Sequence, residues 1–139
     1  MRVDFLTAKL AKEKGFNLGS NNVWFEYKDG TVEETDNYYT RNNGGESDLS
    51  NNSFIVYERP TQAELQNWLR EKLVFVEVNT DCTTYPKFCY DIKQFFGNPL
   101  NLSEREWGWN IPPNDADWGL YRKWEDALED GLKKGLNLI

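Results

Sequence analysis

Histidine is missing from this 139-residue chain, and methionine occurs once. Without an imidazole there is no Ser-His-Asp or Cys-His nucleophile system, no His-ligated zinc and no side chain poised to trade protons at neutral pH. Cysteine is nearly as scarce. Cys82 and Cys89, with six residues between them, have neither a second pair nor a histidine to complete a metal set. They read as reduced thiols, the alternative being a redox pair or a disulfide, which a reducing compartment disfavours. Long apolar runs are absent too: no stretch approaches the roughly 20 residues that cross a bilayer. Cations are in deficit, 16 Lys and Arg against 23 Asp and Glu, and a net charge of -7 argues against phosphate-backbone binding, which draws on clustered cations. No glycine-rich phosphate fingerprint is present, and no cofactor is expected.

What the chain does have is apolar and aromatic material, 39% and 15% of its residues, enough for a core in one domain spanning 1–139. Its charge is unevenly placed. Glu104, Glu106, Asp115, Asp117, Glu125, Asp126, Glu129 and Asp130 face only Arg105, Arg122 and Lys123 in the same stretch. The N-terminal residues run the other way, with Arg2, Lys9, Lys12 and Lys14 outnumbering Asp4 and Glu13. A basic partner surface is therefore drawn to one end. Met1-Arg2-Val3-Asp4 leads straight into a helical pattern without the charged-then-apolar layout of a secretory signal, so a cytosolic setting is expected.

The periodicities predict α, ββ, β, α, ββ, α, an α+β fold with short antiparallel strands forming a sheet against about three helices. The first helix runs from Asp4 to Lys14, stopped by Gly15 in a left-handed conformation. Val23–Tyr27 and Thr31–Glu34 read as a hairpin around Asp29-Gly30. Residues 35–52 are a polar loop, rich in Asn, Ser and Gly, and Phe54–Tyr57 is a third strand. Thr61 and Glu64 have capping-box spacing ahead of a helix from Gln62 to about Lys72, with Leu65, Trp68 and Leu69 as its apolar stripe. Val74–Val78 and Phe88–Phe96 are two further strands. Residues 98–119 hold Pro99, Pro112, Pro113 and three tryptophans, a pattern for a packed, acidic, irregular loop. The last helix carries Leu120, Trp124, Ala127, Leu128, Gly131, Leu132, Gly135 and Leu136 at helical spacing.

Three of these stretches also carry a family resemblance. Leu10-Ala11-Lys12-Glu13-Lys14-Gly15-Phe16, Pro60-Thr61-Gln62-Ala63-Glu64-Leu65-Gln66-Asn67-Trp68-Leu69-Arg70-Glu71, and the terminal run from Trp124 to Ile139 resemble, in order and spacing, a group of small proteins. That group is widespread in Bacteroidetes genomes and their phages and mobile elements. The shared motifs are structural, so the resemblance carries over no catalytic residue. It implies a phage or mobile-element accessory protein, in the host cytosol, that meets a host factor such as a defence system. The loop 42–52 and the Trp-rich stretch 98–117 depart from the group's pattern, and a function particular to this chain is expected there.

The first candidate site is accordingly Glu104, Glu106, Trp107, Trp109, Asp115, Asp117 and Trp118, carboxylates around aromatic anchors that suit a host protein with a basic surface. The competing reading folds those tryptophans onto the domain and leaves the acids to solvate it. A second candidate is an aromatic pocket of Trp24, Tyr27, Tyr38, Tyr39 and Tyr57 for a nucleotide-like signal, set against ordinary hairpin packing. Catalysis is not expected. Glu33-Glu34 and Glu125-Asp126 are adjacent, and adjacent residues on a strand or helix point apart. Asp115 and Asp117 lack the full calcium-loop pattern, so no metal is expected.

Overall fold

The computed structural model describes residues 1–36, 54–81, 87–96, 106–109 and 121–139. Contacts gather into two compact units, residues 2–61 and residues 62–139 with Met1.

In the first unit, helix α1 spans Phe5–Glu13. Its start follows from Asp4, whose carboxylate accepts the Thr7 amide at 2.8 Å as a helix N-cap. Its end is a Schellman motif: the Phe16 amide reaches the Ala11 carbonyl and the Gly15 amide the Lys12 carbonyl, both at 3.0 Å, with Gly15 at φ +90°. Phe16 is then buried. Strands β1 (Val23–Tyr27), β2 (Val32–Thr35) and β3 (Phe54–Glu58) form an antiparallel sheet in the order β2-β1-β3. The β1–β2 connection turns at Gly30, φ +85°, where the Asp29 carboxylate accepts the Thr31 amide at 2.8 Å; the Thr31 side chain first and this amide next hold that carboxyl below its ordinary pKa.

Register puts Trp24, Glu26, Ile55 and Tyr57 on one sheet face and Val23, Phe25, Tyr27, Phe54 and Val56 on the other. α1 meets the first face through Phe5, which packs edge-on against Trp24 and Tyr57 at 6.2 and 5.5 Å. At the rim, the Lys12 ammonium donates to the Val56 carbonyl at 2.7 Å. The Glu58 carboxylate accepts the amides of Leu18 and Gly19 at 2.8 and 2.7 Å.

The second unit is α2 (Gln62–Glu71), β4 (Val74–Asp81), β5 (Lys87–Phe96), β6 (Glu106–Trp109) and α3 (Trp124–Leu136). The strands are antiparallel in the order β4-β5-β6. Val74, Val76, Tyr90, Ile92 and Gln94 share the face toward the helices. Leu65, Leu69, Val74, Val76, Ile92, Ala127, Leu128, Leu132 and Leu136 form the buried core there. Two glutamines of α2 tie the layers together. Gln62, almost fully buried, donates to the Glu125 carbonyl at 3.0 Å and the Glu129 carboxylate at 2.8 Å, and Gln66 donates to the Val76 carbonyl at 2.6 Å. α3 approaches β4 closely because positions 131 and 135 are glycine. A Cβ at 131 falls 2.7 Å from Val76 Cγ1, and one at 135 falls 2.9 Å from Val76 Cγ2.

Among the described residues the α+β class is as the periodicities imply, with three helices and antiparallel strands. Five details differ. Residues 106–109, expected within an irregular loop, are strand β6, and the strands make two three-stranded sheets where one was expected. Thr35 ends β2 and does not begin the polar loop. The last helix starts at Trp124; Tyr121 before it pairs with Phe88 by two backbone bonds of 2.8 Å, and Trp124 is 41% exposed. Trp68 is half-buried, with the Lys72 ammonium 5.4 Å over its ring, so it borders the core and does not fill it.

Candidate functional site

The acidic, tryptophan-rich candidate is described in part. Trp107 takes its register position opposite Phe95, Trp109 opposite Lys93 and Glu106 opposite Phe96. By strand alternation, Phe95 and Lys93 belong with Phe75, Glu77 and Asp91 on the sheet face away from α2 and α3. That face carries charge: Lys93 pairs with Glu77 at 3.3 Å, and Asp91 accepts a short bond from Asn79. Cys89 shares it, its thiol 3.7 Å from the Asn79 carbonyl. Cys82, Glu104, Asp115, Asp117 and Trp118 lie outside the described residues.

The aromatic candidate sits in the first unit and is differently composed from the sequence expectation. Tyr27 and Tyr57 line one open cavity of about 510 Å³ with Lys9, Glu26, Lys28, Phe54 and Ile55. Trp24 is the cross-strand partner of Tyr57 and shares Phe5 with it but does not line that cavity, and Tyr38 and Tyr39 lie outside the described residues. The Trp24 ring is covered by the Arg59 guanidinium, 5.1 Å from its centroid. That guanidinium also pairs with Glu34 at 2.7 Å and Asp36 at 3.1 Å. Asn22, with its amide turned so that the oxygen faces Arg2 at 2.8 Å and the nitrogen faces Asp36 at 3.2 Å, joins the two arginines into one network.

Around Tyr57 the ring is occupied as well. Lys12 lies 5.0 Å and Lys9 5.9 Å from its centroid. Its hydroxyl donates to Glu26 at 2.6 Å, and Lys9 donates to both oxygens of the same carboxylate at 3.1 and 3.2 Å. These bonds, Tyr57 first and Lys9 next, hold the Glu26 carboxyl below its ordinary range. Burial, then the bond to Glu26, pushes the Tyr57 phenol from 10.0 up to about 12. In the sequence Lys9 and Lys12 count only among the N-terminal cations, because α1 and β3 are far apart in the chain and no local pattern joins them. The adjacent acids Glu33 and Glu34 do point apart. Glu33 accepts the Tyr27 hydroxyl at 2.8 Å, while Glu34 holds Arg59.

Compared with known proteins, the chain matches no family model, no curated protein and no solved structure. Among the described residues no helix is long and apolar enough to cross a membrane, and no three Asp, Glu or Cys gather as metal ligands do.

The Tyr57–Glu26 bond has a pH consequence. The folded phenol has the higher pKa, so the stability it contributes is complete below about pH 10 and is lost as pH rises toward about 12. In an ultraviolet titration of the chain's 7 tyrosines, one phenol should ionise late and disappear from the curve in Tyr57→Phe. An unchanged curve in that variant would refute the assignment. The Glu26 contribution has the opposite sign: it is present above the ordinary carboxylate pKa and lost as pH falls through the lowered one.

Proposed function

We propose that this chain is a non-catalytic binding protein that engages a protein partner through its acidic, tryptophan-rich segment, with β6 as the fixed part of the contact. The observation that carries the reading is the register of β6. Trp107 and Trp109 belong to a strand laddered onto β5, beside a face bearing Phe75, Phe95, Glu77 and Asp91. Aromatic residues on a regular strand present large contact area at little ordering cost, which is what an interface anchor needs. Glu104, Glu106, Asp115 and Asp117 in the same stretch favour a basic partner and speed its approach. The accessory role, meeting a host factor such as a defence system inside a phage- or element-bearing cell, is supported by the resemblance of the three helical motifs.

The test uses the whole chain as bait in host lysate, followed by calorimetry with the captured protein. Trp107→Ala/Trp109→Ala should weaken that complex by about thirtyfold or more, the scale of losing a hot spot of about 2 kcal/mol, while the melting curve stays cooperative. Raising salt should slow association. Equal retention by the double variant would sink the proposal.

A further inference from the structure

A second cavity, of about 490 Å³, lies between the segment that follows α1 and the β1–β3 pair, and its size is that of a small-molecule site. We infer that it binds a small uncharged polyhydroxy compound, a molecule of the monosaccharide class. The cavity belongs to the first unit and does not depend on the partner proposal.

Register builds its apolar side. Val23 stands opposite Glu58 and Val56 opposite Phe25, so Val23, Val56 and Glu58 share one sheet face. Phe16, placed by the turn at Gly15 that ends α1, lines the same cavity. Phe16 and Val23 are almost wholly buried and make a floor, and Val56 is half-buried beside them. Gly15 and Gly19 border the cavity with bare backbone: a Cβ at either would meet nothing within 4 Å.

The polar groups around that floor are held in place. Each oxygen of the Glu58 carboxylate accepts one backbone amide, from Leu18 at 2.8 Å and from Gly19 at 2.7 Å, which fixes the group and leaves it lone pairs to spare. The Ser20 hydroxyl accepts the Asn22 amide at 3.1 Å and keeps its own proton to donate. Asn17 is exposed and makes no hydrogen bond among the described residues, so its carboxamide brings both a donor and an acceptor.

Charge selects an uncharged ligand. Lys12 and Glu58, one of each sign, line the cavity and do not pair with each other. Lys12 is committed to the Val56 carbonyl and to the ring of Tyr57. Glu58 opposes an anion and Lys12 a cation, whereas a hydroxyl donates to the carboxylate and accepts from Asn17 or Ser20. A ring with several hydroxyls at its edge and C–H groups on its face matches the polar rim and the apolar floor together.

The test is an NMR titration of the full chain with the methyl glycosides of glucose, galactose and mannose. Glucuronate and glucosamine serve as the anionic and cationic counterparts, and tetrahydropyran-2-methanol as the ring without its secondary hydroxyls. The expected result is saturable shifts at the amides of Asn17, Gly19, Ser20 and Val56 with at least one glycoside. Asn17→Ala, which removes no contact within the described residues, should weaken that binding about fivefold with an unchanged melting temperature. Lys28→Ala, at the opposite end of β1, should leave the affinity as it is. No saturable shift with any glycoside, equal or tighter binding of the charged sugars or of tetrahydropyran-2-methanol, an unchanged affinity in Asn17→Ala, or an equal loss in Lys28→Ala overturns the inference.

Discussion

Gly131→Val is expected to destabilise the second unit by about 3 kcal/mol, read as a lower urea midpoint by far-ultraviolet circular dichroism. The direction is opposite to what helix propensity predicts, since glycine inside a helix costs about 1 kcal/mol relative to alanine. α3 carries glycine at 131 and 135, so the helix forgoes about 2 kcal/mol of intrinsic stability, again on that scale. The reason is the approach to β4. A Cβ at 131 would stand 2.7 Å from Val76 Cγ1 and 3.1 Å from the Tyr90 side chain. Val76 is fully buried and β-branched, so it has no alternative rotamer to retreat into cheaply. Gly131→Ala should fall between wild type and valine, because the gain in propensity offsets part of the clash. Lys134→Val, on the exposed side of the same helix, is the control and should change stability by about 0.5 kcal/mol or less. If Gly131→Val behaved like that control, the close helix–sheet approach would be wrong.

The second large effect belongs to the first unit. Phe25→Ala should cost about 3–5 kcal/mol, through lost transfer free energy and the cavity left behind. Phe25 is fully buried, central in the β2-β1-β3 sheet, and packs on Phe54 at 5.0 Å and on Tyr27 at 6.4 Å. Phe25→Leu should restore most of the stability. Thermal unfolding followed by near-ultraviolet signal separates the two, and a loss under about 1 kcal/mol in Phe25→Ala would contradict the packing.

Much of the local structure was legible because local chemistry dictates it. Asp4 and Gly15 bracket α1 through bonds made within a turn of themselves, and the Asp29-Gly30 turn needs only a left-handed glycine. The apolar stripe of α2 and the β-branched run of β4 carry their period in plain view. β6 was not legible. Glu106-Trp107-Gly108-Trp109 contains a glycine and sits among prolines, and what makes it a strand is its ladder to β5, a non-local partner. The split into two sheets is equally non-local, since no short segment records which strand it pairs with. The glycines of α3 were read as members of an apolar stripe; that they are there to be small appears only once Val76 is set against them. For the sites, aromatic residues marked the right neighbourhood at Tyr27 and Tyr57, but the charges that define it arrive from α1. Lys9 reaches Glu26 across 17 positions, and Arg59 reaches Glu34 to cap Trp24.

The two rim contacts by Lys12 and Gln66 share a consequence for how copies of this chain behave at high concentration. Among the described residues β3 and β4 each end a sheet, and a strand at that position offers its backbone to any other extended chain. In each case a side chain from the helix preceding that sheet has already claimed a carbonyl, Val56 by Lys12 and Val76 by Gln66. A strand arriving from a second molecule would have to displace an ammonium or an amide before it could pair. These two strands therefore carry their own guard against edge-to-edge aggregation, supplied by one side chain each, Lys12 over β3 and Gln66 over β4.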